Sequence, residues 1–368
     1  MKFTVERSVF LDAVSRLQRI VGSKNSMPVL EGILISAEQG KITMISYNLE
    51  MGMKKEIYAH TEEEGDIVIN ARLLGDIIRR MNGVQVEIST DEKLMCHIKC
   101  EDSVFDIMGM AAIDFPEMPS IGEGKKFSLE SKILNDMVKG TLFAVSQVEG
   151  TRPILTGINV TVTDGILQFV AIDGYRLAIR REKVNLNDEL NVIISGKALG
   201  EVVKLINENT EEIEIAVADR LIMFCIDGYY FISRLLEGEF VNYQKTIPTE
   251  HRQTVSVKTN DFINVIERVA LLISDSFSTP VRCIFNEDHI VLSSATAVGR
   301  ATDTFMVTLD GDPFEIGLNS RYLLEALRAV DDSSVKILFN GANAGVIICS
   351  DDDNNEDYLY MIMPMRLK

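Results

Sequence analysis

The feature that most constrains this chain is a pattern that occurs three times. Residues 3–21 read FTVERSVFLDAVSRLQRIV, residues 127–145 read FSLESKILNDMVKGTLFAV, and residues 255–273 read VSVKTNDFINVIERVALLI. Each block opens on short alternation, as in Phe3 and Val5 or Val255 and Val257, and then shifts to helical spacing. Phe10, Ala13, Val14, Leu17, Ile20 and Val21 fall on one face of the first helix, and Phe262, Val265, Ile266 and Val269 on one face of the third. A recurrence of this kind marks one supersecondary unit copied along the chain.

A second element recurs in each copy. Residues 67–81 read IVINARLLGDIIRRM, residues 192–206 read VIISGKALGEVVKLI, and residues 316–330 read IGLNSRYLLEALRAV. Asn70, Ser195 and Asn319 stand where a helix N-cap belongs, since their side chains accept from the free N–H groups of a first turn. Two residues later stand Arg72, Lys197 and Arg321. A helix dipole favours an acid in the first turn, so a cation recurring there points to another use. The runs GILISAEQGKITMIS, GINVTVTDGILQFVAID and CIFNEDHIVLSSA alternate and break at short turns, as strands do. Each copy therefore reads strand–helix–strands, twice over. The expected class is α+β: three like domains, 1–124, 125–250 and 251–368, each with two amphipathic helices on one face of antiparallel sheets.

Composition agrees and narrows the classes. At roughly 100–200 residues per domain, 368 residues accommodate two or three domains. With 46% apolar and 25% charged residues, each domain has material for a core. No stretch approaches the ~18 apolar residues of a membrane span, and the opening MKFTVERSVF carries charges where a signal peptide needs an apolar run. The expectation is a cytoplasmic protein without membrane partners. Five scattered cysteines, Cys96, Cys100, Cys225, Cys283 and Cys349, read as reduced thiols without zinc spacing. The net charge of −18 argues on its face against nucleic acid, but a net charge does not say where the cations sit.

Three segments, in order and each at its own place within the threefold repeat, carry a resemblance. They are Asp114-Phe115-Pro116-Glu117-Met118-Pro119, Asp173-Gly174-Tyr175-Arg176-Leu177-Ala178 and Met363-Pro364-Met365-Arg366-Leu367. Over essentially its whole length the chain resembles the bacterial DNA polymerase III β subunits, the sliding clamps. The resemblance implies a head-to-tail homodimer that closes as a ring, with helices lining a hole around duplex DNA. It implies a processivity factor rather than an enzyme, with no cofactor. Partners would be the DNA polymerase III α subunit, the clamp loader, other polymerases and repair factors, captured through short peptides.

The resemblance also assigns residues. The peptide groove would comprise Leu155; Gly174, Tyr175, Arg176 and Leu177; Val241, Lys245 and Thr246; and Ile362, Met363, Pro364, Met365 and Arg366. Met361, Met363 and Met365 alternate with Ile362 and Pro364, so both faces of the tail are apolar, and flexible thioethers suit several partners. Tyr175 stands where some members have His, Val241 where many have Pro, and Lys245 where Arg is commoner; Lys368 extends the usual tail. Those departures bear on partner preference. Sliding needs attraction to phosphate without base readout; the expected DNA-facing set is Lys24, Arg72, Arg79, Arg80, Arg152, Lys197 and Arg321. At the dimer seam, Phe105 and Ile107 would face Leu272 and Ile273 of the other copy.

Rival readings have less behind them. The run Asp351-Asp352-Asp353-Asn354-Asn355-Glu356-Asp357 lacks the central Gly of a calcium loop, and Ile362 occupies the place of its last Glu. Gly122-Glu123-Gly124-Lys125 lacks P-loop spacing. His60, His97, His251 and His289 form no metal or triad spacing, which leaves a metal-dependent hydrolase as a remote alternative. A monomeric repeat-built peptide adaptor is opposed by the recurring helix-start cation.

Overall fold

In each block a strand runs directly into a helix, as the shift in spacing from two to near four requires. A computed structural model describes residues 1–22, 27–122, 124–148, 150, 152–186, 188–273 and 279–367. Among these, helix α1 (Arg7–Leu17) follows strand Lys2–Glu6, and α2 (Ala71–Arg80) follows Gly65–Asn70. Helix α3 (Ser131–Lys139) follows Lys125–Glu130, and α4 (Gly196–Val203) follows Leu190–Ser195. Helix α5 (Thr259–Ala270) follows Gln253–Lys258, and α6 (Ser320–Arg328) follows Phe314–Leu318. Asn70 Oδ1 accepts from Leu73 N at 3.0 Å, and Asn319 Oδ1 accepts from Arg321 N at 3.0 Å and Tyr322 N at 3.2 Å. Both are the N-caps that the sequence places there. Ser195 ends its strand at the corresponding position.

The chain forms two compact units, and the first comprises Met1–Lys132 with Gly200–Leu235. It holds a five-stranded antiparallel sheet in the order His60–Glu63, Lys2–Glu6, Gln85–Thr90, Met95–Cys100, Ser103–Met108. It also holds an eight-stranded sheet: Lys125–Glu130, Glu212–Ala218, Leu221–Ile226, Tyr229–Arg234, Met51–Tyr58, Lys41–Tyr47, Gly32–Glu38, Gly65–Asn70. Phe10, Ala13, Val14 and Leu17 of α1 and Leu74, Ile77 and Ile78 of α2 are buried. The helices meet at Gly75, where a Cβ would stand 3.5 Å from Val14 Cγ1 and 2.6 Å from Gln18 Oε1. The second unit comprises Ile133–Leu199 with Leu236–Lys368. Its nine-stranded sheet runs Leu190–Ser195, Gly157–Thr163, Ile166–Ile172, Arg176–Lys183, Tyr358–Ile362, Val346–Ser350, Ser334–Phe339, Gln253–Lys258, Leu309–Asp310. A four-stranded sheet runs Arg300–Met306, His289–Ala295, Val281–Phe285, Phe314–Leu318. Phe262, Val265, Ile266 and Val269 of α5 are buried as their spacing predicts, with Phe262 5.3 Å from the Phe305 ring.

Repeat borders do not interrupt the sheets. Strand Tyr229–Arg234 of the second block pairs with Met51–Tyr58 of the first. Strand Tyr358–Ile362 of the third pairs with Arg176–Lys183 of the second. Each pairing satisfies two rows of backbone groups that a separate domain would leave open. The joints share a device: Tyr229 stands opposite Lys55, whose Nζ lies 4.3 Å from the ring centroid, and Tyr358 stands opposite Arg180, whose Cζ lies 5.7 Å from it. At the first joint Tyr229 also donates to Asp12 Oδ2 at 2.7 Å. Burial and that carboxylate push the Tyr229 hydroxyl well above its usual range. Ser103–Met108 and Arg300–Met306 are among the strands that end their sheets.

Candidate partner groove and helix-borne cations

The groove candidates centre on a turn that the sequence builds from Asp173-Gly174-Tyr175-Arg176. Asp173 Oδ1 accepts from Tyr175 N at 2.9 Å and Arg176 N at 3.1 Å, and Gly174 takes φ +92°, a conformation that only glycine adopts freely. Tyr175 is consequently carried outward, 65% exposed. Arg176 goes the other way. Its side chain is 5% exposed, its Nε donates to Asp173 Oδ2 at 2.9 Å, and it pairs with Glu325. Its guanidinium lies 4.3 Å from the Tyr322 ring centroid and 5.5 Å from that of Phe143. Arg176 thus braces the turn from inside, and its exposed neighbour is Tyr175.

The tail is fixed to this turn. Leu177 pairs opposite Met361 and Arg176 opposite Ile362, and Met363 N donates to Tyr175 O at 2.8 Å. Leu177, Met361 and Ile362 are buried and form floor, while Met363 is exposed and Pro364 and Met365 half-buried. Met365 N donates to Gly317 O at 2.8 Å, and a Cβ on Gly317 would stand 2.7 Å from Met365 O, so only glycine lets the tail lie this close. Arg366 is exposed. Beneath lies an apolar cluster of Val170, Leu177, Ile179, Ile347 and Met361, flanked by Ile172, Phe240, Tyr243 and Ile247. The last three bring the 240–247 segment to the same cluster. Val241 is half-buried and Lys245 and Thr246 are exposed there, with Thr246 Oγ1 donating to Tyr243 O at 2.6 Å. Leu155 is half-buried on the 3-10 turn Pro153–Thr156, next to Ile154, which packs 3.2 Å from a Cβ position on Gly238. Glu325 and Tyr322 were not singled out by the sequence, and Asp173 stood there only as part of the motif. The spacing Arg321–Glu325 was a visible helical pair, but nothing local tied Glu325 to Arg176.

The described cations expected to face DNA are all exposed: Arg72, Arg79, Arg80, Arg152, Lys197 and Arg321. Lys24 lies outside the described residues. Arg79 and Arg80 share Asp76 at 3.2 and 3.5 Å, and Arg321 pairs with Glu325 at 2.9 Å. The helices hold eleven Lys and Arg against seven Asp and Glu, a net of +4, in a chain of −18. The acidic excess therefore belongs to strands, turns and loops.

At the expected seam, Phe105 is 40% exposed on a free edge strand and Ile107 is half-buried, while Leu272 and Ile273 are half-buried just beyond α5. The 351–357 run bridges strands Val346–Ser350 and Tyr358–Ile362; Asp351 accepts from Ser256 Oγ at 2.6 Å, and Asp353 pairs with Lys336. Among the described residues no His, Cys, Asp and Glu side chains gather into a metal-binding group. No helix among them is long and apolar enough to cross a membrane.

Three like blocks joined edge to edge through their sheets define a repeat-built scaffold of the clamp type. Domain descriptions of the DNA polymerase III beta subunit match in sequence order: N-terminal domain at residues 1–119, central domain at 128–242 and C-terminal domain at 244–366. The beta sliding clamp of Halalkalibacterium halodurans is 31% identical over 383 residues, covering 100% of both chains. That of Staphylococcus epidermidis is 30% identical over 379 residues, covering 100% of this chain and 99% of that protein. Among solved structures, the DNA polymerase sliding clamp from Bacillus subtilis superposes with a TM-score of 0.94 at 27% identity, with 100% of both chains covered. The DNA polymerase III subunit beta from Pseudomonas aeruginosa gives 0.90 at 25%, again with full coverage of both. The chain belongs to the DNA polymerase III beta subunit family, the beta sliding clamps, whose members are non-catalytic processivity subunits.

Proposed function

We propose that two copies of this chain close head to tail into a ring around duplex DNA and tether the replicative polymerase to its template. The observation that carries the ring is the rule of the joints. The last strand of the second block pairs with the first block, and the last strand of the third pairs with the second. The last strand of the first block, Ser103–Met108, and the strand of the third block that would receive it, Arg300–Met306, both end their sheets. A second copy supplies each with its missing neighbour, and two such seams join the remaining block borders and close the ring. The domains on this reading are 1–124, 125–250 and 251–368.

The helix-borne cations would meet phosphate, and the acidic remainder would repel DNA elsewhere. The surface around Tyr175, Val241, Lys245, Thr246, Met363, Pro364, Met365 and Arg366, above the Leu177–Met361 floor, would take short peptides of the DNA polymerase III alpha subunit, the clamp loader, other polymerases and repair factors. Tethering raises effective concentration and needs no chemistry. The test is topological. Protein assembled on circular duplex stays bound and is lost when the circle is cut; equal retention on circular and linear DNA refutes encirclement.

A further inference from the structure

We propose that the seam between two copies is an antiparallel strand pair in which Asp106 of one copy faces Arg300 of the other. The proposal rests on the ring reading above and adds its register. The two joints inside the chain have one geometry. Ile232 stands opposite Gly52 and Met361 opposite Leu177. Gly52 and Leu177 hold the same place, the first paired residue after a four-residue turn, closing on Tyr47 and Ile172. Arg300 holds that place in the third block, closing on Ala295. On the incoming strand, Tyr229 follows a two-residue turn from Ile226, and Ser103 follows one from Cys100. Both turns begin with a left-handed residue, Asp227 at φ 49° and Glu101 at φ 51°. Tyr229 stands opposite Lys55, three residues past Gly52. The same rule sets Ser103 opposite Asp303, Val104 opposite Thr302, Phe105 opposite Ala301, Asp106 opposite Arg300 and Ile107 opposite Gly299.

Two independent observations fit this register and no neighbouring one. Leu272 Cδ1 lies 3.7 Å from where a Cβ on Gly299 would be, so Ile107 laid over Gly299 reaches Leu272. A slip of one residue would turn every side chain to the opposite face. The pairing also sets unlike charges directly opposite. Arg300 is exposed and has no ion pair among the described residues; Asp106 is exposed and held by His97 Nδ1 at 2.6 Å, with its second oxygen left for a cation. The corresponding places in the inner joints hold apolar side chains or glycine, Ile232 with Gly52 and Met361 with Leu177. Nor does the seam repeat the cation–tyrosine pair, since Ser103 meets Asp303, which Arg268 holds at 2.7 Å. At this place the seam alone sets unlike charges opposite each other, so salt should loosen it there.

A charge-swap cycle read by sedimentation equilibrium tests this. Asp106→Arg and Arg300→Asp should each weaken the dimer roughly tenfold, because like charges then face each other at both seams. The double variant should return to within about threefold of wild type, and 1 M salt should flatten the differences. Both positions are exposed, so unchanged circular dichroism and melting will report intact folding. A double variant no tighter than the singles, or singles indistinguishable from wild type, overturns the register while leaving a dimeric wild type and the ring reading intact. A wild type monomeric at micromolar concentration refutes the ring reading and the register with it.

Discussion

Replacing Arg176 with alanine isolates what holds the Asp173–Arg176 turn. The guanidinium is 5% exposed and binds two carboxylates, Asp173 at 2.9 Å and Glu325, between the rings of Tyr322 and Phe143. Removing one partner of a buried ion pair costs about 3–5 kcal/mol, because a buried charge is left unmatched. Here the low end applies. Asp173 keeps the amides of Tyr175 and Arg176, and Glu325 keeps Arg321 at 2.9 Å. The lost ring contacts add about 1 kcal/mol, which offsets part of that relief. A local loss near 3 kcal/mol is expected, which accelerates exchange through local opening by roughly a hundredfold.

The assay is amide hydrogen exchange resolved to peptides covering 172–178 and 360–366, since Met363 N donates to Tyr175 O and the tail should loosen with the turn. Arg321→Ala is the control. It removes a cation from the same Glu325, but from a side chain 57% exposed, where a pair is worth about 0–1 kcal/mol. Exchange in those peptides that rises less than threefold in Arg176→Ala, or equally in both variants, would refute the claim that burial makes Arg176 the brace.

Three further outcomes follow from local geometry. Gly174→Ala meets no atom within 4 Å, so its cost is purely conformational, about 1–2 kcal/mol, and should appear as faster exchange in the same turn; no change would mean that the turn is not held at positive φ. Burial pushes the Asp12 carboxyl up, but hydrogen bonds from Tyr229 and Arg16 outweigh it and its pKa ends lowered. A lowered folded pKa stabilises above the unfolded value near 4 and is lost as pH falls through the folded value, so the melting penalty of Asp12→Asn should shrink between pH 7 and pH 3; a penalty that grows on acidification would contradict it. Burial raises the thiols of Cys96 and Cys283 to about 12, so a thiol reagent at pH 8 should leave both unmodified in the native protein and reach all five cysteines in denaturant.

What was legible in the sequence was what is local. The shift from alternation to helical spacing placed α5 and its buried face and most of α1, which ends at Leu17 so that Ile20 and Val21 lie past it, and Asn70 and Asn319 cap as read, because a cap and its first turn lie within four residues. The direction of Arg176 was not legible. It depends on Glu325, 149 residues on, and the motif gives Tyr175 and Arg176 equal standing although one is exposed and the other buried. The joints were equally hidden. Lys55 and Tyr229 are neighbours only once two sheets have joined, and periodicity specifies a strand's faces without specifying its partner. Of the five tail residues expected at the groove, Met363 and Arg366 are exposed, Pro364 and Met365 are half-buried, and Ile362 is buried in the sheet.

The charge of −18 looks hostile to DNA only while it is treated as uniform. Helices with a net of +4 leave the strands, turns and loops more acidic than the whole chain. The helical cations are also tempered from within: Asp76 serves Arg79 and Arg80, and Glu325 serves Arg321. A cation that already has a carboxylate partner gains less on meeting phosphate, since part of its charge is matched before contact and the pair must be loosened to make the new one. For a repressor that must hold one sequence, this would be a defect. For a ring held by topology, attraction strong enough to fix a register would oppose movement along the duplex, and weak, exposed, partly neutralised cations, on the proposed reading, would let retention come from closure of the ring.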